Sequence, residues 1–357
     1  MDGAEQPKRR PRVRRGSGEL TVADVARQAG VSPMTVSRVI NRLGNVLPET
    51  RARVEAAIAA LDFVPNPAAR SLAGRPQCRI ALLHSNPSAA YLSEFLVGSL
   101  AGASETDAQL VVEHWDGGDS PVRLAQRLTD HRIDAVLLPP PLCDDAALLA
   151  ALSASNLPLA QIATGAPVAF ADAVSIDDEG AAHAMTCHLL ALGHRRIGFI
   201  AGDPNQTASA LRQAGYARAL RDAGLDVDPD LIVPGDFTYR SGLDASERLL
   251  SQVPRPTAIF ASNDDMAAAV IALAHRHRLD VPHDLTVCGF DDTAMARAVW
   301  PEITTIRQPV ADMAHRAMLR LADRVRAAAS PDVRAPLHEE LAFTLVERAS
   351  DAQPHEK

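Results

Sequence analysis

Between Thr21 and Leu61 the apolar positions recur three and four residues apart, and from Arg79 onward they gather into short runs separated by longer amphipathic stretches. The first pattern predicts helices. Val22, Val25, Ala26 and Ala29 share one face of a helix that Thr21 caps, with Asp24 placed to reach back and Gly30 to stop it. Ser32 then caps a second helix, Pro33 stands where a missing N–H costs nothing, and Val36, Val39 and Ile40 turn inward. A third helix runs from about Pro48 to Leu61, its stripe being Val54, Ile58 and Leu61.

The second pattern predicts strands. RIALLHS, QLVVEHW, DAVLLPP and LPLAQIAT are apolar runs alternating with helical stretches, and RIGFIAGD, LIVPGDF, TAIFASND and LTVCGFDD resume the alternation. Such βα units build parallel sheets. Eight runs are too many for one small sheet, so the expectation is an α/β body of two doubly wound lobes facing each other across a cleft. In such sheets ligands sit beyond the carboxyl ends of the strands.

Polar groups stand at those ends. Phe237 closes LIVPGDF, Asn263 and Asp264 close TAIFASND, Asp291 and Asp292 close LTVCGFDD, Gln308 follows ITTIR, and Arg212 lies early on a helix. A flat aromatic face beside carboxylate, amide and guanidinium groups suits a sugar, whose ring has apolar CH faces and a rim of hydroxyls. Each residue has a structural rival. Asn263 and Asp264 can cap the helix that begins DDMAAAV, Asp291 and Asp292 can tie down a loop, and Gln308 can hold a crossover between lobes.

Charge sharpens the division. The chain of 357 residues carries a net −8, but residues 1–76 hold 13 Lys plus Arg against 7 Asp plus Glu, and the remainder holds 23 against 37. A basic head on an acidic body concentrates attraction for nucleic acid at one end. The outer face of the second helix fits that end. It shows Met34, Thr35, Ser37, Arg38 and Asn41: short polar groups for phosphates and one Arg able to fork onto a guanine edge, as on a helix-turn-helix recognition helix. Residues 1–18, with six Lys and Arg among Pro, Gly and Ser, have no apolar pattern to offset ordering entropy and are expected to form a disordered basic tail. Cys78, Cys143, Cys187 and Cys288 are scattered without CxxC spacing and read as small buried hydrophobes of a reducing compartment. No apolar run approaches membrane-spanning length and no signal-peptide core is present, which predicts a cytoplasmic protein.

TVADVARQAGVSPMTVSRVIN, then ETRARVEAAIAALDFVPNPAARSLAG, resembles the DNA-binding head and hinge of the lactose-repressor (LacI) family almost continuously over residues 21–74. The body resembles the periplasmic sugar-binding-protein fold that this family fuses to its head, strongly over Val174–Pro309 and more weakly over Arg79–Ala173. The resemblance implies a helix-turn-helix domain at 19–64, a hinge helix and linker at 65–76, a two-lobed effector-binding and dimerisation domain at 77–350, and a tail at 351–357. It places the lobe crossings near Gly193, Ile306 and Pro331, giving a first lobe of about 77–192 and 306–330 and a second of 193–305 and 331–350. It implies DNA contacts from Ser32, Pro33, Met34, Thr35, Ser37, Arg38 and Asn41. Hinge residue Leu72 would wedge into the minor groove, since a two-turn hinge helix is marginal alone and forms against a copy of itself and DNA. Arg212, Phe237, Asn263, Asp291 and Gln308 fall on positions that commonly hold effector. Tyr91 and Leu92 match positions where the family has aromatics over the ligand, and Ala89 departs from a usual Asn.

The resulting expectation is a homodimeric regulator, most often a repressor in this family, that binds a pseudo-palindromic operator and answers to a sugar or glycoside in the cleft. A purine or nucleoside effector is the alternative. An enzyme is the remote one: no GxGxxG or GxxxxGK[ST] loop occurs, His275 and His277 lack the further ligands of a metal site, and no catalytic residue, cofactor or metal is expected. His194, in LGHRRIGF, is expected to be structural, and the polar ending SDAQPHEK offers no leucine heptads for a tetramer.

Overall fold

A computed structural model describes residues 20–40, 46–63, 78–86, 88–327 and 335–354. The chain divides into two units, residues 1–76 and 77–357. The basic tail, Asn41, Leu72 and the hinge all lie outside the described residues.

In the head, α1 (Val22–Ala29), α2 (Pro33–Ile40) and α3 (Pro48–Ala60) follow the apolar spacing. The Asp24 carboxylate accepts from the Thr21 N–H at 2.9 Å and from its hydroxyl at 2.7 Å. Gly30, at φ 63°, closes α1 in the left-handed conformation that glycine enters without a steric penalty. Ser32 Oγ accepts from the Thr35 N–H at 3.1 Å and caps α2. Val25, Val36 and Val54 are completely buried and form one small core with Ala26, Ala29, Val39, Ala57 and Phe63.

The body carries two six-stranded sheets of the same pattern. The first runs β11 (His338–Leu341), β5 (Asp172–Ile176), β4 (Leu159–Ile162), β3 (Ala135–Leu138), β1 (Arg79–His84), β2 (Gln109–His114). The second runs β12 (Thr344–Val346), β10 (Thr304–Arg307), β9 (Thr286–Asp291), β8 (Ala258–Ala261), β6 (Ile197–Ile200), β7 (Ile232–Val233). Every pairing is parallel except β10 with β12. All residues of β3, β6, β8 and β9 are buried. Helices cover both faces of these sheets, which is why the strands read as unbroken apolar runs.

The lobe crossings differ from the expected ones. The helix Asp178–Ala191, here α7, packs along the helix Thr207–Asp222, here α8. Their approach is so close that a Cβ on Gly215 would stand 2.1 Å from the Glu179 carbonyl oxygen. The chain therefore enters the second lobe just after β5, at Asp177, rather than near Gly193. It returns after β10, where the helix Val310–Ala327 packs against the first lobe. The last crossing falls between Leu341 and Thr344, because β11 belongs to the first sheet and β12 to the second, and not near Pro331.

Residues 351–354, the described part of the expected tail, are also no free tail. Ser350 is buried, its hydroxyl donating to the Val287 carbonyl, and Asp351 holds His188 at 2.6 Å. Buried His194 bonds Thr257 Oγ1 through one ring nitrogen and the Ala352 carbonyl through the other, both at 2.9 Å. It joins the chain end to the second lobe.

Candidate effector cleft and DNA-facing helix

The strand-end residues converge. Tyr91, Arg212, Phe237, Asn263, Asp291 and Gln308 line one cleft between the lobes, together with Asn86, Ser88, Pro140, Ala163, Gln206 and Ala208. The cleft holds about 360 Å³ of space, counting its open mouth. Leu92, the neighbour of Tyr91, is not among the lining residues.

Arg212 organises the floor. Its Nε donates to Asp178 Oδ1 at 2.7 Å, one terminal nitrogen donates to the Ser262 carbonyl at 2.6 Å, and the same nitrogen lies 3.6 Å from Asp291 Oδ1. The guanidinium stacks over the Phe290 ring at 3.6 Å and faces that of Phe237 at 5.8 Å. Burial works against its charge, but Asp178 and Asp291 outweigh burial and raise the pKa. Arg212 is thus locked as a cation before any ligand arrives.

Asp291 ends β9 at φ 111°, a conformation side chains other than glycine rarely adopt, and accepts from Gln308 Nε2 at 2.6 Å. Burial pushes its pKa up to about 7 against the pull of Arg212 and Gln308, with Asp265 and Asp178 adding repulsion. Asp264 behind it accepts from Thr293 and Thr305, and burial together with Asp291 holds its pKa well above the ordinary value.

The rivals foreseen for these residues are present. Asn263 caps the helix Asp264–Arg276 by accepting from the Met266 N–H at 2.9 Å, and its amide donates to the Phe237 carbonyl at 2.8 Å. That second bond fixes Phe237 at φ 67°, with the ring against Gly202, where a Cβ would stand 1.9 Å from it. Asn263 is therefore a cleft wall that also sets the aromatic. Asp292 is purely structural here, clamped by Arg307 at 2.6 Å and by Arg348. Gln308 stands at the crossover and reaches the cleft as well.

Among the described residues, hydrogen bonds bridge the lobes from Ser88, from Asp144 and from the Gly165 N–H, which donates to Thr207 Oγ1 at 2.7 Å. Ser88 donates to Asp265 at 2.5 Å. Asp144 accepts from the N–H and hydroxyl of Thr207, at 2.8 and 2.9 Å, and from Thr164 at 2.6 Å, so a first-lobe carboxylate occupies the N-terminus of α8. Sequence reasoning missed Asp178, Ser88 and Asp144. Ser88 lies just past β1 and the strand-end rule would have found it, whereas nothing local marks the other two.

In the head, Ser32, Pro33, Met34 and Arg38 are exposed, Met34 to 67 %. Thr35 and Ser37 are half-buried, and Thr35 shares a 2.9 Å hydrogen bond with Ser32. A large methionine and an arginine on the outer face of a helix whose inner face fills the core are surplus to folding and free to meet a partner. Among the described residues no cluster of His, Cys, Asp or Glu suits a metal ion, and no helix is long and apolar enough to cross a membrane.

A helix-turn-helix head joined to a two-lobed body with a polar interlobe cleft defines a ligand-responsive DNA-binding regulator. Residues 21–66 match the bacterial regulatory proteins of the lacI family, and residues 186–350 match the periplasmic binding protein-like domain. The transcriptional regulator CelR of Thermobifida fusca is 35 % identical over 334 residues, 90 % of this chain and 96 % of that protein. A solved CelR–cellobiose complex superposes with TM-score 0.71 at 32 % identity, covering 93 % of this chain and 100 % of its own. The lac repressor dimer bound to operator and an anti-inducer gives TM-score 0.71 at 28 % identity, covering 94 % and 99 %. The chain belongs to the LacI family of transcriptional regulators; it is a DNA-binding regulator, not an enzyme.

Proposed function

We propose that the protein is a homodimeric cytoplasmic repressor that α2 docks onto a pseudo-palindromic operator and that a sugar or glycoside in the cleft switches. The observation that carries the effector reading is the convergence of Arg212, Asp291, Asn263, Phe237, Gln308 and Tyr91 on one cleft between lobes. Arg212 and Asp291 hold adjacent hydroxyls, Phe237 lies against the ring, and Asn263 contributes what its cap and its bond to Phe237 leave free. CelR, a relative, has been solved with cellobiose, which supports a sugar. Ligand that changes the lobe angle acts on a hinge helix of marginal stability, in which Leu72 is the proposed wedge, with a coupling of roughly 1–3 kcal/mol.

The test has two arms. Sequence selection with the full chain should return a pseudo-palindrome, and Arg38→Ala should relax one base position in each half-site at a cost of about 1–3 kcal/mol per half-site. Equal weakening on every sequence would make Arg38 a phosphate contact instead. In the second arm, a sugar that raises the melting temperature should also change operator affinity. A thermal shift with unchanged operator affinity would separate ligand binding from regulation and end the effector reading.

A further inference from the structure

Three carboxylates, Asp178, Asp264 and Asp291, stand at or directly behind the cleft floor, none more than 8 % exposed. One guanidinium, Arg212, answers them. Asp292, next along, is already matched by Arg307 and Arg348, and Asp265 adds a further carboxylate where Ser88 meets it. Hydrogen-bonding capacity is uneven in the same sense. Gln308 gives its amide to Asp291 and leaves its Oε1 buried with no partner, and the Tyr91 hydroxyl is buried with none either. Unmet polar atoms are rare in folded interiors, and both of these residues line the cleft.

We infer that the cleft accepts an uncharged or cationic ligand rich in hydroxyl or ammonium donors and refuses the phosphorylated or carboxylated form of the same ligand. The inference rests on reading the cleft as the effector site. A hydroxyl can donate to Gln308 Oε1 or to Asp291 while accepting from Tyr91 or Arg212. A phosphate brings only acceptors and negative charge to a cleft whose one cation, Arg212, is already paired with Asp178 and whose unmet amide atom, Gln308 Oε1, is itself an acceptor. Arg212 cannot compensate, because Asp178 and Asp291 already share its charge. Repulsion between anions a few ångströms apart in a partly desolvated cleft corresponds to a loss of affinity of about 100-fold or more.

The experiment is thermal shift and calorimetry on the full chain with matched pairs: glucose and glucose 6-phosphate, cellobiose and cellobiose 6-phosphate, adenosine and adenosine monophosphate, with glucosamine as the cationic arm and inorganic phosphate alone. Any pair that binds should do so through its unphosphorylated member, and the phosphorylated one should be about 100-fold weaker. Inorganic phosphate at 10 mM should stabilise wild type no more than chloride of equal ionic strength, and at pH 8, where Asp291 has released its proton, Asp291→Asn should narrow the gap between pair members by about tenfold. A phosphorylated member binding within tenfold of its partner, or specific stabilisation by phosphate, overturns the charge selection and leaves the effector reading standing. Silence across all the organic ligands, charged and uncharged alike, overturns the acceptance the inference asserts and counts against the effector reading beneath it.

Discussion

The two lobes have the same strand order and carry opposite kinds of wall. The first offers the cleft Asn86, Ser88, Tyr91, Pro140 and Ala163, all uncharged; the second offers Arg212, Asp291, Asn263 and Phe237, with Asp178 and Asp264 packed behind. Sheets of the same strand order therefore do not dictate identical chemistry. The charged network of the second lobe is bonded within that lobe, Arg212 to Asp178 and Asp291. Closure then removes from water mostly neutral groups on the first-lobe side, and the desolvation of ions, which dominates the cost of burying charge, has already been met by folding. The second lobe holds and orients; the first covers.

The largest expected effect breaks the network. Arg212→Leu strands Asp178 and Asp291 without their cation at positions 1 % and 8 % exposed, a change of the kind that costs about 3–5 kcal/mol. Urea denaturation of the body should show it. Ser88→Ala in the first lobe removes one hydrogen bond to Asp265 and should cost roughly 1–2 kcal/mol. Equal losses from the two would mean that the lobes share the polar work.

The contrast also sets how far the sequence could be read. Strands buried on both faces announced themselves as apolar runs, but β11, HEEL, and β12, TLV, are short edge strands that carry no such signal. The apolar stripe of α7 shows that it packs and not against which sheet, so the crossing was placed one helix too late. As cleft residues, Phe237, Asn263, Asp291 and Gln308 were legible because strand ends are where doubly wound sheets collect ligands, and Arg212, early on a helix, through the family resemblance. Asp178 was not: a carboxylate in a first helical turn ordinarily faces water, and only the crossing at Asp177 buries this one beside Arg212.

Intermediate in size is the effect at Asp291. Its folded pKa of about 7 lies above the ordinary 3.8, so the folded state holds a proton that the unfolded chain releases. The associated stability is present below about pH 4 and is lost as pH rises through 7. Asparagine resembles the protonated form at every pH. Asp291→Asn should match wild type near pH 4 and exceed it at pH 8 by a few kcal/mol, ~4 at most, the attraction to Arg212 being already included in the folded pKa of about 7. Melting curves at the two pH values check this, and an advantage that grows toward acid would reverse the assignment.

The smallest effect comes from a pair of tyrosines, one per lobe. Tyr216, on α8, is fully buried and donates to the Ile197 carbonyl at 2.7 Å; Tyr91, in the first lobe, is 5 % exposed and its hydroxyl has no partner. Removing a satisfied buried hydroxyl orphans its acceptor, so Tyr216→Phe should cost about 1 kcal/mol. Removing an unsatisfied one relieves a desolvated group, so Tyr91→Phe should be neutral or slightly stabilising without ligand, by about 0.5 kcal/mol or less. With effector the order should invert: Tyr91→Phe should weaken binding severalfold while Tyr216→Phe leaves it unchanged, because only Tyr91 lines the cleft. Thermal melts with and without ligand give both readings on the same samples. A destabilised Tyr91→Phe in the absence of ligand would show that its hydroxyl already has a partner in the folded protein, and the first lobe would lose its claim to a group held in reserve for the effector.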